Sequence, residues 1–329
     1  LKNIKTYLLV LAIFSGLYTM AQGSVLEDRY YVGEKPGAAA IARGGAYTAV
    51  ADDSFAAFWN PAGLARLREN SLGISMNLFS ETELSEDELH ANYPLQGQKL
   101  NFISISAPEV SLYWRPLSNI SLEESDNGVT VKRDVKVNTF GLSVGIPHTE
   151  KMDFGMNINF LFGTYAFAEK NTESVEIGVP YGYGWGLDWG MIYEATEMID
   201  LGLTLLNGPA MIYWGDGHGR DSLPVILKGG ANLRLTRIMS ASIDYSKGFY
   251  DDSLSDTGEL HFGLEHNITN DIALRAGIYG SDLDDRYNTT YTAGVGYSQE
   301  NYRLNLAARQ FYIEEDSVIR VSLSGIIPF

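Results

Sequence analysis

From position 71 onward, large apolar side chains alternate with small or polar ones in segment after segment. Leu72, Ile74, Met76 and Leu78 alternate with Gly73, Ser75 and Asn77. Tyr183, Trp185, Leu187, Trp189, Met191 and Tyr193 alternate with Gly184, Gly186, Asp188 and Gly190. Ile319, Val321, Leu323, Gly325, Ile327 and Phe329 alternate with Arg320, Ser322 and Ser324. A side-chain period of two is the signature of a strand, and it places the two sets on opposite faces of a sheet. One face stays apolar and large, while the other carries Gly, Ser, Asn, Asp and Arg. Such a sheet either buries its apolar face against a second sheet or turns that face to lipid around a wet lumen.

The connections favour the second arrangement. Strands are expected near 71–80, 100–107, 109–123, 129–147, 152–165, 182–195, 198–207, 223–235, 238–248, 258–267, 271–281, 288–299, 302–312 and 317–329. Their even count, about fourteen, is what single-chain bacterial barrels show. Short linkers fall at Pro108, His148 to Lys151, Ala195 to Glu197, Thr236-Arg237, Thr269-Asn270 and Ser298 to Glu300. Longer, often acidic ones include Glu81 to Gln98, Glu169 to Tyr181, Gly208 to Ser222 and Tyr250 to Asp256. Short turns at one end and long loops at the other are the layout of a membrane barrel. Tyr183 and Tyr193, at the two ends of one apolar stripe, match interfacial girdles. The fold class is therefore all-β: a transmembrane antiparallel β-barrel over 71–329. The terminal Phe329 resembles the C-terminal signature of bacterial outer-membrane barrels, which implies an insertion signal there and both termini on the periplasmic side.

Residues 1–21 read as a secretory signal peptide. Lys2 and Lys5 precede an apolar stretch from Tyr7 to Leu17, and Thr19-Met20-Ala21 is an acceptable small-x-small cleavage site. That apolar stretch is too short to span a bilayer as a helix. An exported chain without cysteine must draw its stability from hydrogen-bonded ladders or a large core. The net charge of −17 fits acidic external loops and argues against nucleic acid, whose phosphates require basic patches.

Residues 22–70 lack the alternation. Ala38 to Ala42 and Ser54 to Leu67 look helical, Asp52, Asp53 and Ser54 are N-cap candidates before Phe55, and Pro61-Ala62-Gly63 breaks the second stretch. A compact piece before a barrel is a natural plug, or hatch. Within it stand Arg43-Gly44-Gly45-Ala46, then Thr48-Ala49-Val50-Ala51-Asp52-Asp53, then Asn60-Pro61-Ala62-Gly63-Leu64. These elements resemble the N-terminal hatch of the FadL-type long-chain fatty acid transporters, and more closely that of the related PorV/PorQ-like outer-membrane proteins. The resemblance implies a fourteen-stranded barrel, a lumen plugged by the Asn-Pro-Ala element, and passive uptake of hydrophobic small molecules such as long-chain fatty acids. Its PorV-like branch implies instead a component of a type IX secretion system, a surface platform for exported proteins. Expected partners are outer-membrane lipid with either a hydrophobic ligand or secretion-system proteins, around a monomeric barrel.

Two groups of residues are candidates for function. Phe55, Phe58, Trp59, Asn60, Pro61, Ala62 and Gly63 would form the hatch or gate: aromatic rings supply an apolar lining, and an Asn-Pro kink exposes helix-end amides. The same residues could simply pack the plug against the wall. Arg275, Arg303, Arg309 and Arg320 lie on the polar faces of the last strands. Such a basic patch could hold a carboxylate, or pair with Glu265, Asp244, Asp52 or Asp53. His90, His148, His218, His261 and His266 have no metal-ligand spacing, and no Gly-x-Ser-x-Gly elbow occurs. No catalytic residue, metal or cofactor is expected. Asp282, Asp284 and Asp285 read as a solvated loop in preference to a Ca²⁺ site.

Overall fold

The computed structural model describes residues 34–81, 99–126, 129–170, 175–249, 258–313 and 316–329; the signal sequence and the start of the expected hatch lie outside them. The alternating segments form fourteen spans. These are β1 (Ser71–Glu81), β2 (Leu100–Ala107), β3 (Val110–Asp126), β4 (Val129–Thr149) and β5 (Met152–Lys170). Next come β6 in two pieces (Val175–Gly178 and Tyr181–Thr196), β7 in two (Ile199–Leu206 and Ala210–Trp214) and β8 in two (Arg220–Ser222 and Val225–Arg234). The last are β9 (Met239–Phe249), β10 (Gly258–Asn267), β11 (Ile272–Gly280), β12 (Thr289–Gln299), β13 (Tyr302–Ile313) and β14 (Asp316–Pro328). Each pairs antiparallel with its chain neighbours, and β1 also pairs with β14, so the sheet closes. Closure leaves no edge strand to pair with a stranger.

The stretch from Gly208 to Ser222, expected as a long loop, is largely a continuation of the wall. Ala210–Trp214 pairs with β6 and with Arg220–Ser222. Its alternation, with Ile212 and Trp214 buried and Tyr213 exposed, is hidden in sequence by the Asn207-Gly208-Pro209 interruption. β3, β4 and β5 run 17, 21 and 19 residues, well beyond the 9–11 or so that cross a bilayer, so they project at the long-loop end.

Burial is inverted relative to a water-soluble sheet protein. Leu264 is 54% exposed, Leu274 48% and Phe160 56%, while Ser143, Asn157 and Ser322 are fully buried. Polar atoms line the inside and apolar ones the outside, as a barrel wall in lipid requires. The register of the wall confirms the faces: Leu274 opposes Val295 and His266, and Gly277 opposes Gly263 and Thr292.

Candidate functional site

Residues 34–67 contact inward-facing side chains from strands all round the barrel. They form two short helices, α1 (Ala38–Ala42) and α2 (Ala56–Trp59), followed by a 3₁₀ turn (Pro61–Arg66). Helices this short leave most backbone amides and carbonyls without intrahelical partners, and the polar inner wall supplies them. The amides of Gly37 and Ala38 donate to Ser75 and Ser324 Oγ at 3.0 Å each. Tyr47 and Thr48 amides donate to Asp244 Oδ2 at 2.9 and 2.8 Å. Asn157 Nδ2 donates to the Ala57 carbonyl at 2.7 Å and Ser104 Oγ to that of Ser54 at 2.9 Å. His261 Nδ1 lies 2.7 Å from the Gly44 carbonyl; because a carbonyl only accepts, this bond places the proton on Nδ1.

The expected gate residues come together. Phe55, Phe58, Trp59, Ala62 and Leu64 share one buried cluster with Tyr47 and with Phe102, Tyr113, Ile192 and Ile326 of the wall. Phe58 and Trp59 meet edge to face at 5.2 Å between centroids. Asn60 ends α2 in an extended conformation and caps the 3₁₀ turn, accepting from Ala62 N at 3.1 Å. Its Nδ2 donates to the Thr48 carbonyl at 2.8 Å and the Met191 carbonyl at 3.0 Å. Asn60 thus ties the turn to α1's trailing loop and to β6. The wall opposite is glycine because backbone meets backbone there: a Cβ on Gly190 would fall 2.1 Å from Asn60 Oδ1, and one on Gly155 would fall 2.2 Å from Ala62 N.

The four arginines of the expected basic patch do not form one group. Arg309 and Arg320 both grip Glu34, the former at 2.5 Å. Arg275 pairs with Glu265 at 2.5 Å and donates to Asn305 Oδ1 at 2.8 Å. Arg303 pairs with Glu69 near the short-turn end. Burial alone would raise the Glu34 carboxyl, but the two guanidinium groups prevail and hold it down at about 2. Asp52 and Asp53 instead flank the Tyr47 hydroxyl, each at 3.1 Å. The Asp282 to Asp285 cluster is spent on its own turn, with Asp282 Oδ1 accepting from Asp284 N at 3.1 Å and Asp285 Oδ1 from Tyr287 N at 3.0 Å.

On the long-loop side of Phe58 lies a cavity of about 270 Å³. Tyr113, Leu206 and Ile226 give it apolar walls; Lys35, Arg115, Asp188, Lys228 and Glu259 give it charge. Beyond it, Leu117, Ile120, Val135, Val137, Leu161, Ile212 and Trp214 form a second apolar cluster inside the long strands. Arg115 stacks over Phe58 at 5.0 Å and Lys228 over Trp59 at 5.1 Å, so two wall cations bear directly on two gate aromatics. Sequence reasoning missed both cations. Their inward parity, Arg115 two residues after Tyr113 and Lys228 two before Gly230, is the signal that could have found them.

A closed fourteen-strand barrel with an internal N-terminal plug defines the FadL-type channel fold. Solved structures agree in fold. The CymD monoaromatic hydrocarbon channel matches with a TM-score of 0.61 at 14% identity, over 91% of this chain and 98% of that one. The toluene transporter TbuX of Ralstonia pickettii gives 0.62 at 14%, over 91% and 99%. A FadL homologue of Pseudomonas aeruginosa gives 0.59 at 12%, over 91% and 99%. No protein-family model and no curated protein matches the sequence. The similarity is to FadL-type channels, and it gives no support to the closer PorV/PorQ-like relationship that the hatch motif implied.

Proposed function

We propose that this chain is an outer-membrane channel through which hydrophobic small molecules pass by affinity and diffusion, with residues 22–70 as its hatch and both termini periplasmic. The observation that carries the reading is the sequence of spaces inside the barrel. An apolar cluster lies within the long strands, an enclosed cavity follows, and then an aromatic plug whose polar backbone is fastened to the wall. A ligand leaving water would find apolar contact first, a small pocket next and a displaceable barrier last. The titles of the similar structures, a monoaromatic hydrocarbon channel and toluene transporters, name cargo of the same kind. Fatty acids and aromatic hydrocarbons are the candidate classes, and the gate falls to Phe55, Phe58, Trp59 and the Asn60 to Gly63 turn. The secretion-platform reading is not favoured by any of these similarities. Intact Gram-negative cells carrying the chain should take up radiolabelled toluene or oleate faster than cells lacking it. Equal rates for both compounds would overturn the proposal.

A further inference from the structure

The charges around the cavity are unbalanced. Its lining holds three cations, Lys35, Arg115 and Lys228, against two carboxylates, Asp188 and Glu259, in a chain whose overall charge is −17. The carboxylates are already engaged. Asp188 accepts from Asn157 and Asn159 side chains at 2.9 and 2.8 Å and from the Asn207 amide at 2.7 Å. Glu259 faces Lys35 at 3.7 Å and His261 at 3.5 Å. Asp244, below the cavity, is taken by the Tyr47 and Thr48 amides.

Arg115 and Lys228 are left with ring faces alone. Neither has a carboxylate within ion-pair distance among the described residues, and Arg115 Nη1 is buried without a hydrogen-bond partner. Lys228 is only 8% exposed. The rings they cover, Phe58 and Trp59, touch each other, so both cations bear on one small region. A neutral hydrocarbon entering here would strip water from two cations and return nothing, which is costly. A carboxylate would supply the missing acceptor, with charge-assisted hydrogen bonds to both.

We propose that the cavity is a binding site for a small amphiphilic monocarboxylate, its anionic group between Arg115 and Lys228 and its apolar body against Phe58, Tyr113, Leu206 and Ile226. The proposal rests on the passage reading above and narrows its cargo. The volume sets the size: about 270 Å³ is just under the range of roughly 300–1,000 Å³ typical of small-molecule pockets. A single ring or short chain fits, and a long acyl chain does not.

The test uses the purified full-length barrel in detergent at pH 7, titrated calorimetrically with 3-phenylpropionate and with 3-phenylpropan-1-ol. The two probes share a body and differ in charge. The acid should bind about tenfold more tightly or better, the value of one or two charge-assisted bonds. The Arg115→Gln, Lys228→Gln double variant should lose that preference while its affinity for the alcohol stays the same. Lys228→Arg, which keeps the charge and preserves folding if Gln does not, should retain the preference. Equal binding of acid and alcohol, or a preference that survives the double substitution, would overturn the charge selection and leave the passage reading standing. Binding of neither probe would overturn both. Palmitate binding more tightly than 3-phenylpropionate would overturn the size limit.

Discussion

Asp53 stands just before α2, where its Oδ1 accepts the Phe55 amide at 2.8 Å. Burial first, and then the neighbouring Asp52 charge, pushes its carboxyl up to about 7. An acid raised on folding binds its proton more tightly in the folded state. The stability it contributes is therefore full below its unfolded value, about 3.9, and is lost as pH rises through about 7. Asp53→Asn keeps the acceptor for Phe55 and removes the charge. Its thermal midpoint in detergent, followed by tryptophan fluorescence, should exceed that of the parent at pH 8 and match it at pH 4; no gain at pH 8 would refute the assignment. Glu34 has the opposite sign. Held at about 2 by Arg309 and Arg320, it contributes stability that is present above its unfolded value and lost as pH falls toward 2. Glu34→Gln removes the carboxylate that two buried guanidinium groups share and should cost about 3–5 kcal/mol in denaturant titrations at pH 7. The identity of that partner was not legible in sequence, where Asp52 and Asp53 were the hatch acids weighed. Glu34 is more than 270 positions from either arginine, and only the closed barrel brings the three together.

At the scale of elements, period-two alternation carried most of the information. All fourteen spans were legible because each wall residue has one apolar and one polar neighbour, a contrast that survives wherever lipid lies on one side. Three spans are interrupted in ways the pattern concealed. β6, β7 and β8 each divide in two, and Gly208-Pro209 and Pro224 break the alternation where the wall in fact continues. The register makes two contrasting predictions. Leu274→Arg, near the middle of β11 on its exposed face, should cost roughly 2–4 kcal/mol in refolding titrations. Gly277→Arg points inward, where even a Cβ would fall 2.2 Å from the Gly44 amide, so it should displace the hatch while sparing the outer wall. Equal, negligible effects of both would refute the faces drawn here. Asn60 was legible as the pivot of its motif, but its bonds were not, since they cross from the hatch to β6. Asn60→Ala strands the Ala62 amide and two carbonyls and should cost about 1–3 kcal/mol, read as faster hydrogen exchange at the 3₁₀ turn.

For the whole molecule, the question is whether the barrel is filled by its own wall or by its hatch. The wall contributes small and polar residues at the level of the hatch: Gly155, Gly190, Gly263 and Gly277 all face hatch backbone at distances that leave no room for a side chain. That level is therefore empty without residues 34–67, and the lumen is closed by the hatch there. Toward the long-loop end the wall does fill its own interior, through Leu117, Ile120, Val135, Val137 and Trp214. This apolar constriction is a second barrier that water and ions cross with difficulty even when the hatch is gone. Deleting residues 23–60 behind an intact signal should consequently raise single-channel conductance in planar bilayers, since the first barrier is lost. Opening should remain incomplete, and Trp214→Ala added to the deletion should raise the conductance further. Heat-modifiable gel mobility would confirm that the shortened barrel still folds. Unchanged conductance in a folded deletion variant would mean that the apolar constriction alone seals the lumen. The gate would then belong to the wall, and the aromatic residues of the hatch would serve packing only.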